Sequence, residues 1–114
     1  FLQMDGRAVF EFAVSRVPEV IREVLKKAGI EKEEVDFYLL HQANRRIISA
    51  AVKRLGLEEE RFPMNMEEYG NTSAASIPIL LYEENRRGKL KKDSLLVLSG
   101  FGGGLTYGAS LLRW

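Results

Sequence analysis

The chain contains 114 residues, of which 46% are hydrophobic and 29% are charged, a composition typical of a single globular domain. Its net charge of +1 gives no reason to expect a nucleic-acid or membrane-surface partner, and no apolar run approaches the ~20 residues of a membrane-spanning helix. With no cysteine and one histidine, the sequence excludes a disulfide framework, a cysteine nucleophile of its own and a zinc site, so we expect no metal.

The first predicted element is a long amphipathic helix. Apolar residues recur at three- and four-residue spacing over residues 10–28, Asp5 is a suitable N-cap, and Gly29 is a suitable stop. Because proline lacks a backbone N–H group, Pro18 predicts a kink, or two abutting helices, near residues 15–17. A charged turn of sequence EKEEVD follows.

A buried strand and a second helix come next. Residues 35–40 are mostly apolar and lead into His41, which predicts a strand with the histidine at its end. Asn44 is a plausible cap for a helix over Arg45–Leu55, and Gly56 ends that helix. The positions predicted to face inward are Ile47, Ile48, Ala51 and Leu55.

The rest of the chain contains shorter signals. Residues 61–66 predict a brief strand, and residues 73–87 predict a third helix that ends at Gly88. Residues 95–99 predict a second buried strand, the glycines after it predict a turn, and residues 105–113 predict a last strand.

Strands that alternate with helices predict an α/β fold, with a mixed, mostly parallel sheet and helices on both faces. The last two strands are joined by only a few glycines, so we expect them to be antiparallel neighbours. No linker or internal repeat divides the chain, which predicts one domain over residues 1–114.

The motif HQAN, residues 41–44, contains the chain's one histidine at a strand-to-helix junction. The carboxyl ends of parallel strands line ligand crevices, so this junction is a candidate site. Two interpretations of His41 stay open: a half-buried histidine bonded to backbone, and a neutral imidazole that donates to developing negative charge. Arg45 and Arg46 oppose the helix dipole, which favours phosphate binding over a merely solvated first turn.

The motif GNTSAAS, residues 70–76, predicts a helix start and a second donor. Capping by Asn71 or Thr72 explains part of the pattern. It does not explain the small residues throughout the first turn, which leave room for a ligand to approach the backbone. The Asn71 amide can donate beside His41, and two fixed donors aimed at one oxygen would form an oxyanion site.

The motif GFGGGLTYG, residues 100–108, contains five of the chain's ten glycines. A tight hairpin that needs positive φ explains one or two of them. Three glycines in a row suggest that backbone N–H groups face a ligand. The motif is not a phosphate-binding P-loop, because no Gly-Lys-Ser/Thr sequence follows it.

In this order, HQAN, GNTSAAS and GFGGGLTYG, together with MDGRAVFEFA at the start, resemble the C-terminal half of β-ketoacyl-acyl carrier protein synthase III. This family of thiolase-fold condensing enzymes starts bacterial fatty acid synthesis, and the resemblance covers the whole chain. It implies a thiolase-like domain, a site of cysteine, histidine and asparagine, and no cofactor. His41 and Asn71 match the histidine and the asparagine.

The resemblance also implies a mechanism. In the family, acyl-CoA first acylates the cysteine, malonyl-acyl carrier protein then loses carbon dioxide, and the resulting enolate attacks the acyl-enzyme. Decarboxylation places negative charge on the thioester oxygen. His41 and Asn71 can each donate an N–H group to that oxygen without ionising, so the pair would act by electrostatic stabilisation.

Further site residues are implied by the same resemblance. The backbone N–H of Gly103 would help hold the oxyanion, Phe101 would wall the acyl-cysteine site, and Asn44 would bind the pantetheine arm. The remaining matches are Gly6 and Phe10 at the tunnel wall, and Arg46 and Arg45 at the docking surface for the acidic carrier protein.

The sequence departs from the family in having no nucleophile. We therefore expect it to be the cut end of a longer protein, to lack the N-terminal half with the cysteine, and to be inactive alone. Exposed apolar surface on the helix over residues 73–87, a homodimer and a cytoplasmic location are further expectations. The alternative is a non-catalytic thiolase-like half that serves assembly or binds acyl carrier protein.

Overall fold

A computed structural model describes residues 6–66, 76–102 and 106–114. Over these ranges the chain forms three α-helices, three β-strands and two short 3₁₀ helices. In chain order the elements are α1 (Gly6–Ala28), a 3₁₀ helix (Lys32–Glu34), β1 (Phe37–Leu40), α2 (Arg45–Leu55), a second 3₁₀ helix (Glu59–Arg61), α3 (Ser76–Arg86), β2 (Leu95–Gly102) and β3 (Thr106–Arg113).

The three strands form one mixed sheet in the order β1-β2-β3. β1 is parallel to β2, with Leu40 opposite Ser99, and β2 is antiparallel to β3, with Gly102 opposite Thr106. The prediction that the last two strands are antiparallel neighbours is therefore confirmed. Because β1 and β2 run in the same direction, both of their carboxyl ends lie at one edge of the sheet, and β3 returns to the opposite edge.

The end of β3 is fixed to the start of β2 by backbone hydrogen bonds. The N–H of Trp114 donates to the carbonyl of Ser94 at 2.8 Å, and the N–H of Asp93 donates to the carbonyl of Trp114 at 3.0 Å. The side chain of Trp114 is exposed. This end of the sheet, where β2 starts and β3 ends, lies away from the carboxyl ends of β1 and β2.

α1 is one continuous helix that contains Pro18, so the alternative of two abutting helices is wrong, whereas the kink stays a prediction. The hydroxyl of Ser15 donates to the carbonyls of Glu11 and Phe12, one turn before the proline. The predicted cap, Asp5, lies outside the described residues. The helix buries one apolar face, formed by Ala13, Val17, Ile21 and Leu25.

α2 has the bounds that the sequence predicts, and its caps explain why. The side-chain oxygen of Asn44 accepts the backbone N–H of Arg46 at 2.7 Å, which satisfies one of the free donors of the first turn. At the other end Gly56 adopts the left-handed conformation, with φ of 67°. All four positions predicted to face inward are buried, namely Ile47, Ile48, Ala51 and Leu55.

The predicted strand over residues 61–66 is wrong. A 3₁₀ helix, Glu59–Arg61, leads into this segment, and no strand is assigned to it. The guanidinium of Arg61 donates to the carbonyls of Glu33 and Val35, and Phe62 is buried against Tyr38, with ring centroids 4.8 Å apart and nearly parallel. Side-chain anchors therefore fix this segment without a strand ladder.

β2 extends three residues beyond the strand predicted over residues 95–99, because its glycines pair with β3. Gly100 lies opposite Gly108, and Phe101 lies opposite Tyr107. Neither of these two glycines has positive φ. The turn that the glycine run predicts stays a prediction, because residues 103–105 lie outside the described ranges.

The two faces of the sheet carry separate apolar clusters. α1 and α2 cover one face, where their side chains pack on Tyr38, Leu40 and Val97. The other face carries a smaller cluster, which contains Leu39, Leu80, Leu90 and Leu96. Since successive strand residues point to opposite faces, the two clusters confirm the prediction of helices on both sides of the sheet.

α3, on the smaller cluster, carries a buried carboxylate and an exposed aromatic ring. Glu84 is 1% exposed, and its carboxylate oxygens lie 3.6 Å from Arg87 Nη1 and 3.6 Å from Lys89 Nζ. Its Oε2 has no hydrogen-bond partner among the described residues. Tyr82 is 62% exposed, so this helix presents one large aromatic ring to solvent.

Over the described ranges, none of the helices is both long and apolar enough to cross a bilayer.

Candidate functional site

His41 lies directly after β1, at the edge of the sheet where β1 and β2 end. Its backbone N–H donates to the carbonyl of Ser99 at 2.9 Å, which continues the parallel ladder by one residue and fixes the start of the side chain. The half-buried imidazole meets the Phe101 ring edge-on, with centroids 5.3 Å apart and planes at 76°. The structure therefore brings together two of the predicted site residues, His41 and Phe101.

The ring of His41 is held from α3 by a residue that the sequence analysis did not single out. Nδ1 of His41 lies 2.6 Å from Oγ of Ser76, the first residue of α3, and the backbone N–H of Gln42 donates to the same Oγ at 3.2 Å. Ser76 is 2% exposed. The only signal in the sequence was its place as the last residue of GNTSAAS, where the serine reads as ordinary helix-start chemistry.

Partial burial sets the charge of the imidazole. Desolvation lowers the pKa of His41 below its ordinary 6.5, which favours the neutral ring at pH 7. A neutral ring carries one N–H donor and one acceptor nitrogen. The site can therefore present a single oriented donor to an incoming oxygen.

Gln42, the second residue of HQAN, braces the junction from inside the protein. It is fully buried, its Nε2 donates to the carbonyl of Leu40 at 2.8 Å, and its Oε1 accepts the backbone N–H of Asn65 at 3.1 Å. Nδ2 of Asn65 is buried and has no partner among the described residues. Gln42 thus connects the end of β1 to the segment that enters residues 67–75.

Asn44 uses its side-chain oxygen as the helix cap. Because that oxygen accepts the backbone N–H of Arg46, the amide group Nδ2 is the part of the side chain that remains to donate to a ligand. Asn44 is exposed, so an external acceptor can reach it. Capping and ligand binding are therefore compatible roles for the two ends of one carboxamide.

A second pair of predicted residues meets beside α2. The guanidinium carbon of Arg46 lies 4.9 Å from the centroid of the Phe10 ring, which is within cation–π range. Arg45 and Arg46 are both exposed in the first turn of α2. Gly6 is the first residue of α1, on the same helix as Phe10.

Two of the predicted site residues, Asn71 and Gly103, lie outside the described residues. The convergence of the Asn71 amide and the His41 ring on one oxygen therefore stays a prediction, as does the role of the Gly103 backbone. Within the described ranges, no group of three or more His, Cys, Asp or Glu side chains could hold a metal ion.

The chain matches a known family over most of its length. A family model described as 3-oxoacyl-[acyl-carrier-protein (ACP)] synthase III C terminal matches residues 25–114. β-Ketoacyl-[acyl-carrier-protein] synthase III of Streptococcus equi subsp. zooepidemicus is 53% identical over 115 residues, which cover 99% of this chain and 36% of that protein. The Geobacillus kaustophilus protein of the same name is 54% identical over 114 residues, which cover 100% of this chain and 37% of it.

Solved structures show the same fold. The chain superposes on 3-oxoacyl-[acyl-carrier-protein] synthase III from Aquifex aeolicus with a TM-score of 0.97 and 49% identity, covering 100% of this chain and 37% of that one. For the Pseudomonas aeruginosa protein the TM-score is 0.96 with 43% identity, covering 100% and 36%. The chain thus spans little more than a third of the length of these relatives.

Proposed function

Because this chain belongs to the 3-oxoacyl-[acyl-carrier-protein] synthase III family, with a thiolase-like fold, we propose that it is the C-terminal domain of a condensing enzyme of fatty acid synthesis. The enzyme would join an acyl-CoA primer to malonyl-acyl carrier protein with loss of carbon dioxide, without a cofactor. The observation that carries the proposal is the family match over residues 25–114. The neutral imidazole at the end of β1 supports it.

The proposed reaction runs through an acyl thioester on a cysteine outside these residues. In the malonyl thioester, the bond from the α-carbon to the carboxylate breaks, carbon dioxide leaves, and the electron pair forms an enolate whose oxygen is negative. His41 and Asn71 donate to that oxygen. The enolate carbon then forms a bond to the acyl carbonyl, and the carbon–sulfur bond breaks to release the cysteine thiolate. Electrostatic stabilisation of this kind is the largest catalytic term in many enzymes.

Two further residues are proposed to shape the reacting centre. The backbone N–H of Gly103 donates to the tetrahedral oxyanion that forms when the acyl thioester is attacked. Phe101 walls the acyl site, which is supported by its edge-on contact with the His41 ring. An aromatic wall excludes water and so protects the enolate from protonation.

The substrate arm and the carrier protein are proposed to approach along α1 and α2. The Nδ2 group of Asn44 donates to the pantetheine arm, and Gly6 with Phe10 lines the entrance. Arg46, with Arg45, docks the acidic carrier protein. Two observations support this surface: both arginines are exposed, and Arg46 lies over the Phe10 ring, which joins the docking residues to the entrance.

One observation favours a second candidate function. The chain contains no cysteine, so these residues cannot by themselves form an acyl-cysteine. A thiolase-like domain that binds acyl carrier protein without catalysis is consistent with that absence. We favour the enzyme, with the nucleophile in an N-terminal half of the same protein. We propose that this protein is a homodimer located in the cytoplasm.

Decarboxylation of malonyl-acyl carrier protein by the complete enzyme tests the proposal. His41→Ala and Asn71→Ala should each lower the rate by about 100-fold or more, because each removes one donor to the enolate oxygen. Asn85→Ala, which changes an exposed asparagine on α3, is the matched control and should leave the rate unchanged. Wild-type rates in both site variants would refute the assigned roles.

Carrier binding separates the two candidate functions. Arg46→Glu should weaken binding of acyl carrier protein in either case, whereas Arg86→Glu, on α3, should change it little. The binding-module alternative is supported only if carrier binding is retained while no condensation occurs with the complete protein. Condensation that is lost with His41→Ala would exclude that alternative.

A further inference from the structure

We propose that the hydroxyl of Ser76 is a positioning group that selects the tautomer of His41, donating its hydrogen to Nδ1 so that the ring carries its own proton on Nε2. The inference deepens the proposed function and rests on it for its catalytic meaning, because a donor on Nε2 is what the enolate oxygen requires. The hydrogen bond itself is a property of this chain and can be tested without any catalytic assay.

The direction of the hydrogen bond follows from the partners of the hydroxyl oxygen. Oγ of Ser76 lies 2.6 Å from Nδ1 of His41 and accepts the backbone N–H of Gln42 at 3.2 Å. The backbone N–H of Gln42 occupies one acceptor position of the Ser76 hydroxyl oxygen. The hydrogen of that hydroxyl still needs an acceptor. Among the described residues, Nδ1 is the acceptor within reach.

Burial makes the opposite arrangement costly. If Nδ1 carried the proton and donated to Oγ, the hydroxyl hydrogen would have no acceptor among the described groups. Ser76 is only 2% exposed, so water does not readily replace that acceptor. A buried donor without a partner costs more than an ordinary hydrogen bond contributes. The site therefore favours a ring with a lone pair on Nδ1 and a proton on Nε2.

The consequence for chemistry is a difference between attraction and repulsion at one atom. With the proton on Nε2, the side of the ring away from Ser76 presents a donor to an anionic oxygen. With the proton on Nδ1, the same side presents a lone pair, which repels that oxygen. Ser76 thus acts through His41 without touching the reacting atoms.

Nitrogen-15 NMR of the 114-residue chain measures the tautomer directly. The chain contains one histidine, so selective labelling gives the signals of His41 alone. We expect long-range proton–nitrogen correlations at pH 7.5 to show a protonated Nε2 and an unprotonated Nδ1. In Ser76→Ala, loss of one neutral hydrogen bond should move the tautomer ratio about fivefold towards Nδ1–H.

Ser99→Ala is the matched control, because the Ser99 hydroxyl is equally buried but donates to the carbonyl of Gly108 at 3.0 Å. It should keep the wild-type tautomer, and Ser76→Thr, which retains the hydroxyl, should restore it. A wild-type ring protonated on Nδ1, or an unchanged tautomer in a folded Ser76→Ala chain, would overturn the proposal. Thermal unfolding of each variant shows whether it is folded.

Catalysis by the complete enzyme provides an independent readout. The decarboxylation rate of Ser76→Ala should fall at least by the factor by which its Nε2–H population falls, with KM for the malonyl thioester unchanged. If the tautomer changes and the rate does not, the hydrogen bond is real and the proposed role of His41 as a donor is wrong. If the tautomer does not change, the role of Ser76 fails whatever the rate.

Discussion

On one face of the sheet, α1 and α2 together bury a large apolar cluster that reaches from Ala13 to Val97; on the other, α3 covers a smaller cluster around Leu39 and Leu96. The larger cluster includes the ring stack of Tyr38 on Phe62. The smaller one borders a buried carboxylate and partly buried apolar side chains. The two faces therefore contribute unequally to stability, although both meet at the candidate site.

The difference in packing between the two faces separates two structural roles at the site, namely the placement of the backbone and the orientation of the His41 ring. The larger cluster fixes β1 and α2, and so fixes the backbone on both sides of HQAN. The face with less packing supplies Ser76, whose hydroxyl contacts the imidazole. A small change in the position of α3 would alter that hydrogen bond while leaving the backbone of His41 in place. Stability and ring orientation should accordingly respond to different substitutions.

The largest expected effect comes from cutting one side chain out of each cluster. Ile48→Ala and Leu80→Ala each remove a buried aliphatic group, a change that costs about 2–5 kcal/mol. We expect Ile48→Ala at the upper end, because helices and strands enclose its site, and Leu80→Ala at the lower end, because α3 can move into the space. Urea denaturation measures both, and the reverse order would contradict the comparison.

Replacing the buried carboxylate should strengthen the weaker face. Glu84→Leu removes a charge held 3.6 Å from Arg87 and Lys89, both of which are exposed enough to turn to water. Removing one partner of a buried ion pair destabilises a protein when it leaves the other charge buried, but here only the carboxylate is buried, so we expect a neutral or stabilising change within the ~1–4 kcal/mol seen when buried pairs are replaced by apolar groups. Glu23→Leu on α1, which breaks an exposed pair with Lys27, is the control and should change stability by less than about 1 kcal/mol. Marked destabilisation by Glu84→Leu would show that the carboxylate has a partner that matters.

The cap of α2 tests whether the stronger face depends on the site residue Asn44. Asn44→Ala should cost about 1 kcal/mol in the free energy of unfolding, whereas Asn44→Asp keeps an acceptor and should cost much less. Both changes remove the Nδ2 donor, so both should raise KM for the malonyl thioester. A KM that rises only with Asn44→Ala would mean that the cap, and not the donor, supports substrate binding.

The smallest expected effect is the pH dependence at the junction of the two faces. The pKa of His41 is lower in the folded chain than its ordinary 6.5. The unfolded chain therefore binds the proton more tightly, and stability should decline as the pH falls below about 6.5, levelling off once the folded ring is protonated. Urea denaturation between pH 7.5 and 5.5 should show this decline relative to His41→Gln. If the stability of the wild-type chain and that of His41→Gln changed equally with pH, the predicted contribution of His41 would be wrong.

The sequence predicted those parts of the fold that depend on interactions between residues close together in the chain. The bounds of α2 are set by local signals, namely a capping asparagine, a 3.6-residue apolar period and a left-handed glycine, and they were predicted without error. Residues 61–66 are set by contacts to distant residues, such as the bonds from Arg61 to the carbonyls of Glu33 and Val35, and their strand prediction was wrong. Local patterns do not encode such long-range anchors.

The same distinction holds at the site. His41 and Phe101 were predicted from motifs, and the structure places their rings in contact. Ser76 was missed because its role depends on a contact with a residue 35 positions away, and serine at a helix start has a common local explanation. The length of β2 was underestimated for a related reason, since its glycines are held by pairing with β3 and not by an apolar side-chain pattern.

The open end of the β2–β3 hairpin, where Trp114 lies, has a spectroscopic consequence. The chain contains one tryptophan, and backbone bonds to Ser94 and Asp93 hold it at the edge of the sheet opposite the imidazole. Its fluorescence therefore reports the pairing of β2 with β3 at that edge, while the proton resonances of His41 report the edge where β1 and β2 end. Two natural probes, one at each edge, allow the order in which the ends of the sheet loosen to be followed without any added label.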